Sequence, residues 1–384
     1  MAKKEVAVLD IGSSKLRLVI AQKSSGKHFN ILGMSEIEYA GFYNGDFIED
    51  EDFYAAINKA IIAAEESAQT HISKLYIGLP AEFLCCLVKE GTISFETKKK
   101  ITQADVDLLL DQNNEYKYLS NMTLISADGI YFTVDGKKVD SPIGEKGEKL
   151  FAQISYHYSP SEIILKINSC LSKLGLATVE YLSAPMSQVQ ILPQNARTDL
   201  AVLIDCGYLT TSVAVIRGDA LLYLGSFSLG GAHVMTDLAE CLNINYPIAE
   251  ALKRKLVLSL SPDQEQTIDV AYEGKLKEVP LSLANEIVCA RLDLIAKGID
   301  TCIELSKLDY PKFYPVFLTG GGVSLLKGAR QYLSKQLSRP VEIISDESQI
   351  LAKPYYSALV TLVETAIDKE CDNEKSFLAK LFKR

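Results

Sequence analysis

Two stretches of this chain carry the same order of apolar and polar positions. Residues 6–21 read VAVLDIGSSKLRLVIA, and residues 201–216 read AVLIDCGYLTTSVAVI. Set 195 positions apart they align without a gap: Asp10 falls on Asp205, Gly12 on Gly207, Lys15 on Thr210, and the apolar run 18–21 on 213–216. Each stretch predicts an apolar strand ending near an Asp, a Gly-containing turn and a second apolar strand, so each is a hairpin with an acid at its tip. A third strand follows in both, Phe29 to Gly33 and Ala220 to Phe227. The offset is about half of the 384 residues, which predicts two related halves facing each other.

Between the hairpins the periodicity changes. Phe53 to Thr70 predicts a helix and Lys74 to Leu79 a strand. Residues 84–163 form an αβ block: a strand at Leu84 to Val88, a helix opened by a capping box between Thr102 and Asp105, and strands near 122–134 and 150–157. Ser159-Pro160-Ser161-Glu162 then starts a helix that runs to Gly175. Late in the chain an apolar strand, Val316 to Thr319, runs into Gly320, Gly321 and Gly322, with an amphipathic helix after them.

Composition narrows the class. With 48% hydrophobic and 23% charged residues the chain is a packed globular protein. Its 40 Lys and Arg against 49 Asp and Glu give a net charge of −9, which argues against nucleic acid as a partner. The N-terminus reads as a strand rather than a signal peptide, and no run approaches the ~18 apolar residues of a membrane span. The eight cysteines are scattered without a C-x-x-C pair, as expected of reduced thiols in a cytoplasmic protein, and the four histidines show no ligand spacing.

The chemistry lies in the turns. A turn rich in Gly, Ser and Thr offers N–H groups and hydroxyls to an anion, and the adjacent Asp can hold a hydrated Mg²⁺. Two such turns facing each other would grip nucleotide phosphates from both sides. Gly12, Ser13, Ser14 and Lys15 are the candidates in the first hairpin, and Gly207, Thr210 and Thr211 in the second, with Asp10 and Asp205 as water-mediated Mg²⁺ ligands. The three glycines after Thr319 would let a ligand lie against backbone. Neither G-x-G-x-x-G nor G-x-x-x-x-G-K-[ST] occurs, which disfavours a dinucleotide Rossmann site and a P-loop.

Two Asp-tipped phosphate hairpins and a late Gly-Gly-Gly loop resemble the actin, Hsp70 and sugar-kinase superfamily. Within it the chain resembles the FtsA family of bacterial cell-division proteins over essentially its whole length. Leu229 to Ala239 (LGGAHVMTDLA) resembles the family's G-G-x-x-[IV]-T-x-D-[IL]-A segment, with Gly230 and Gly231 as cofactor contacts. Ala249 to Lys253 (AEALK) resembles its nucleoside-pocket helix, where Glu250 and Lys253 would meet ribose and base, and Pro354 to Ala358 resembles its final core segment. Gln188, 17 residues before Asp205, stands roughly where actin has a water-positioning glutamine, and is the candidate catalytic residue.

The resemblance implies an α/β, actin-like ATPase fold: two duplicated ribonuclease-H-like halves around a nucleotide cleft, with an FtsA-type inserted subdomain. The expected division is 1–83 with 164–197 as the first half and 84–163 as the insert. The second half is 198–239 with 313–367, whose last segment could instead return to the first half, and 240–312 is a small subdomain. Residues 368–374 are a linker and 375–384 an amphipathic helix. ATP with Mg²⁺ is the implied cofactor. The implied partners are the FtsZ C-terminal peptide, further copies of the chain in a filament, other division proteins and anionic lipids, with the protein peripheral on the inner face of the cell membrane at the division site. The small subdomain offers cations such as Arg291 and Lys297 for the FtsZ peptide.

The chain departs from the family's D-[IL]-G-[GA]-G-T-T-D pattern at the second hairpin. Tyr208 and Leu209 stand where small residues are usual, and Ser212 replaces the closing acid. Bulk at a backbone–phosphate approach leaves ATP binding expected and hydrolysis weak or absent. Other readings are an adaptor of pilus assembly like PilM, or a small-molecule kinase or phosphatase of the same superfamily. The last ten residues, KSFLAKLFKR, distinguish them. On a helix Phe377, Leu378, Leu381 and Phe382 cover about 140° of one face. Lys380 and Lys383 point away, and Lys375 and Arg384 flank the stripe. At ~15 Å the segment is too short to cross a bilayer but can lie in its interface. Such binding is weak and reversible, so stable attachment needs several linked copies.

Overall fold

The computed structural model describes residues 5–24, 29–176, 178–258, 266–272, 274–345 and 351–381. The first hairpin is β1 (Glu5–Ile11) and β2 (Lys15–Lys23), followed by β3 (Phe29–Glu38). A short pair, β4 (Phe42–Tyr43) and β5 (Asp46–Phe47), leads into α1 (Asp50–Ala68) and β6 (Lys74–Leu79). The insert holds β7 (Cys85–Lys100), α2 (Gln103–Gln112), β8 (Met122–Val134), β9 (Lys137–Val139) and β10 (Lys146–Pro160). Then come α3 (Ser161–Lys173), β11 (Thr178–Ser183) and the single turn α4 (Ala184–Ser187).

The second half opens with β12 (Ala201–Cys206), β13 (Thr211–Arg217) and β14 (Ala220–Phe227). It continues through α5 (Gly231–Leu242), α6 (Tyr246–Lys255), the hairpin β15 (Thr267–Tyr272) and β16 (Lys275–Pro280), and α7 (Leu281–Leu305). It closes with β17 (Val316–Thr319), α8 (Ala329–Gln336), β18 (Val341–Ile343) and α9 (Ser357–Leu381).

The 195-residue echo is a duplication of topology. The first sheet runs β3-β2-β1-β6-β11 and the second β14-β13-β12-β17-β18. In both, three antiparallel strands are joined to two parallel ones. Apolar positions fill both faces of the central strands, as the near-continuous apolar runs of β1 and β12 require. α1 and α3 cover one face of the first sheet through Phe53, Ile57, Ala60, Ile163 and Ile167. α9 covers the other: Leu359, Leu362, Val363 and Ala366 pack with Val6, Val8, Val19 and Tyr76. The chain thus returns to its first half after completing the second sheet.

The insert is a separate antiparallel sheet, β7-β10-β8-β9, with its own core of Ile93, Leu109, Leu150, Ile154 and Tyr156. The capping box opens α2: Asp105 Oδ2 accepts from the Thr102 N–H at 2.9 Å, and Thr102 caps the helix in return.

Two local expectations change. The segment 368–374 is not a linker, because α9 runs through it without a break. It contains no Gly or Pro, so nothing stops helix propagation once Leu359 to Ile367 are anchored in the core. The helix expected directly after Gly322 starts only at Ala329, with turns between.

Candidate functional site

The tips of the two hairpins face each other across a cleft of about 860 Å³ between the halves. Register decides which side chains reach it. In the first sheet Asp10 pairs with Arg17, and Arg17 with Glu36, so three charged residues form one row across β1, β2 and β3. The equivalent row in the second sheet is Asp205, Ser212 and Ser226. Both rows line the cleft. The halves share their backbone plan but not its charge.

In the first row, Arg17 Nε donates to Glu36 Oε2 at 2.8 Å, and Arg17 Nη1 lies 3.7 Å from Asp10 Oδ2. The guanidinium also rests over the rings of Tyr355 and Tyr356, 5.8 and 5.5 Å from their centroids. Asp10 is only 6% exposed, and its pKa is pushed up to about 6 by burial, against the pull of Arg17. Burial also raises Asp205, opposed by its hydrogen bond from Gln188 and by Arg17. Glu36 is held below its ordinary value: burial, which would raise it, is outweighed by the hydrogen bonds from Lys15 and Arg17.

Backbone contacts fix the turns. The Gly12 N–H donates to Lys15 O at 3.1 Å and the Gly207 N–H to Thr210 O at 2.8 Å. Tyr39 Oη donates to Gly12 O at 2.8 Å. The Leu209 N–H donates to Ser13 Oγ at 3.0 Å, so the two tips touch. The carbonyls of Gly207 and Tyr208 accept from the first N–H groups of α5, those of Gly231 and Ala232. The Gly322 N–H donates to Cys206 O at 2.7 Å, and Gly320 has a φ of 84°. The second hairpin, the start of α5 and the glycine loop therefore pack backbone on backbone. Below them Gln188 Nε2 donates to Asp205 Oδ2 at 2.6 Å and to Ser357 Oγ at 3.1 Å, and Thr319 Oγ1 donates to Ser357 Oγ at 2.9 Å. That network joins the first half, the second half and the start of α9.

Two family models match the chain. The model described as "Cell division protein FtsA" matches residues 202–361, and "SHS2 domain inserted in FTSA" matches 84–156. The chain is 26% identical over 365 residues to the cell division protein FtsA of Streptococcus pneumoniae, covering 93% of this chain and 79% of that protein. It is 22% identical over 405 residues to that of Escherichia coli K12, covering 99% and 95%. The chain belongs to the FtsA family. Solved structures agree on the fold. A PilM-PilN type IV pilus biogenesis complex superposes with a TM-score of 0.63 at 16% identity, covering 94% of this chain and 98% of that one. MreB5 of Spiroplasma citri bound to AMPPNP gives 0.56 at 10% identity, covering 97% and 99%. The fold is actin-like, with an FtsA-type insert.

Most residues singled out from the FtsA motifs come together. Asp10, Gly12, Ser13, Ser14, Lys15, Gln188, Asp205, Gly207, Thr210, Gly231, Glu250, Lys253, Gly320, Gly321 and Gly322 all line the cleft. Glu250 is gripped on α6 by Lys253 Nζ at 2.7 Å and Arg254 Nε at 2.9 Å. Lys15 is committed to Glu36 and Glu38, at 2.8 and 3.2 Å.

Other expected residues are committed elsewhere or packed differently. Thr211 is fully buried, and its hydroxyl is used on Leu229 O at 2.6 Å, so it is a structural residue. Gly230 is packed behind the second hairpin, where a Cβ would sit 2.5 Å from Tyr208 O. Both N–H groups of Gln188 are bound, to Asp205 and to Ser357, which anchors its amide in the wall of the cleft. Arg291 is taken by Asp237 in a bidentate pair at 2.6 and 2.7 Å, which removes it as a free cation of the small subdomain. Of the membrane-facing residues expected from the FtsA-like tail, Phe377, Leu378, Lys380 and Leu381 lie on the helical backbone of α9, while Phe382, Lys383 and Arg384 lie outside the described residues.

The expected water-mediated Mg²⁺ ligands have a cation beside them. Asp10 and Asp205 do face the same cleft, but a guanidinium acts on both. Among the described residues no group of three or more His, Cys, Asp or Glu side chains could hold a metal ion. A hydrated Mg²⁺ needs only one or two carboxylates beside waters and phosphate oxygens, and Asp10 and Asp205 are such a pair. Sequence reasoning missed Arg17 and Glu36. The signal was an Arg inside the apolar run of β2, opposite Asp10 once the hairpin is folded about its turn.

Proposed function

We propose that this chain is an actin-like scaffold of cell division. It binds a nucleoside triphosphate such as ATP between its two hairpins, self-associates, and links FtsZ filaments to the membrane. The reading is carried by one observation: two duplicated, Asp-tipped hairpins close on one cleft in a chain whose FtsA-type insert is present. An AMPPNP-bound MreB5 and a MamK double helical filament share the fold, so nucleotide binding and filament formation are both within its repertoire. Hydrolysis is weak or absent in this reading, because Tyr208 and Leu209 fill the second turn and Ser212 stands in place of its closing acid.

The proposed division of labour follows the expected domains. Residues 1–83 with 164–197, and 198–239 with 313–367, form the halves, with the stretch beyond Pro354 serving the first. The insert, 84–163, serves contacts between subunits, and 240–312 takes the acidic–apolar C-terminal peptide of FtsZ. Residues 375–384 lie in the interface of the anionic inner face of the cell membrane, their cations each contributing about 1 kcal/mol there. No helix among the described residues is long and apolar enough to cross a membrane. A chain ending before Asp372 should lose flotation with anionic liposomes while remaining folded by circular dichroism. Unchanged flotation would refute the anchor.

A further inference from the structure

We propose that Leu209 sets the length of phosphate chain this cleft prefers. It clasps the two hairpin tips together, so that a nucleoside diphosphate binds more tightly than the corresponding triphosphate. The inference rests on the nucleotide reading above and names which nucleotide that site favours.

Leu209 reaches the first half with both its backbone and its side chain. Its N–H donates to Ser13 Oγ at 3.0 Å. Its Cδ1 lies 3.4 Å from where a Cβ on Gly41 would sit, so the side chain rests against backbone of the first half. Its neighbours on the turn, Gly207, Tyr208 and Thr210, line the cleft instead. A hydroxyl and a turn N–H facing each other are groups that an anion between the tips would use. Here they are bonded to each other.

Neither tip can retreat alone. The second is held by the N–H groups of Gly231 and Ala232 on the carbonyls of Gly207 and Tyr208. The first is held by Tyr39 Oη on Gly12 O, and by Gly41, where a Cβ would collide with Ser13 O. The tips therefore part only if the halves move. A second tie opposes that movement: Ser228 Oγ lies 3.3 Å from Glu82 Oε1 and 3.4 Å from Asn44 Oδ1. With the ribose at Glu250 and Lys253, the phosphate furthest from it is the one that must enter between the tips. It does so by displacing the Leu209 N–H from Ser13 and lifting the Leu209 side chain off Gly41. A triphosphate binds by parting the tips, and so more weakly; a diphosphate, one phosphate shorter, leaves them clasped. A small residue at this position would keep the N–H but lose the side-chain contact, which makes Leu209 the specific feature.

The test is isothermal titration calorimetry of the full chain with ADP, ATP and the non-hydrolysable AMPPNP, each in excess Mg²⁺. The wild type should bind ADP at least about tenfold more tightly than either triphosphate, the worth of one hydrogen bond and one apolar contact. Leu209→Gly should bring all three within about threefold, chiefly by tightening the triphosphates. Leu209→Ala, which removes the contact on Gly41 without freeing the backbone, should fall between and serves if the Gly variant does not fold. Equal wild-type affinities, or a preference for the triphosphates, overturn the inference and leave the nucleotide reading standing. A preference for ADP that survives unchanged in the variants overturns it too. Absence of binding by all three nucleotides removes both.

Discussion

Asp10→Asn should make this protein more stable at neutral pH, by about 3 kcal/mol. The reasoning is one of linkage. Burial lifts the carboxyl from 3.8 to about 6 in the folded state, so folded protein holds more protons than unfolded between those values. Stability therefore falls as pH rises through that window, and above it the whole cost of an ionised, buried Asp10 is present. Asn keeps the shape and removes the charge. Urea unfolding of both proteins at pH 7.5 and at pH 4 should show a gap that is full at the first and close to zero at the second. An Asn variant no more stable than wild type at pH 7.5 would mean that the fold needs the Asp10 charge. A destabilised acid at the tip of a cleft is what a binding site, rather than a scaffold, retains.

Gly322→Ala should act in the opposite direction, costing about 3 kcal/mol or more. A Cβ there would come closer than 3.0 Å to the carbonyl oxygens of both Cys206 and Gly207. Both carbonyls are engaged, one by the Gly322 N–H and the other by the Gly231 N–H, so neither can retreat without breaking the seam that holds the second hairpin. Gly321→Ala is the comparison. Its Cβ would meet only Tyr355, whose Cβ lies 3.0 Å away, so that residue must give by a few tenths of an ångström, a smaller demand than the backbone clash at Gly322. Chemical denaturation should rank wild type, then Gly321→Ala, then Gly322→Ala well below. Equal stability of the two variants would refute the backbone seam.

The glycine loop illustrates how much of the site could be read in advance. Three glycines after an apolar strand mark a close approach, and the sequence alone suggested a ligand lying against them. In the structure Gly320 and Gly322 are glycine chiefly because protein backbone approaches: Gly320 has a left-handed φ and both face Cys206. The repeat of Asp, Gly and apolar runs at an offset of 195 was enough to place the hairpins, because side-chain patterning and turn chemistry are local. Arg17 and Glu36 escaped notice because their role arises from register across three strands. Thr211 was misassigned for the same reason. It follows Thr210 in sequence, yet alternation along β13 turns its hydroxyl inward to Leu229. The stretch 368–374 looked like a linker because it is polar, but polarity without Gly or Pro does not end a helix already anchored upstream.

The central proposal is that this member of the FtsA family holds FtsZ at a membrane. Its most direct test is the anisotropy of a labelled FtsZ C-terminal peptide titrated with the full-length protein assembled on anionic liposomes. The account predicts saturable binding that unlabelled peptide displaces. Binding that never saturates, or none at all on liposomes that the protein demonstrably coats, would contradict it.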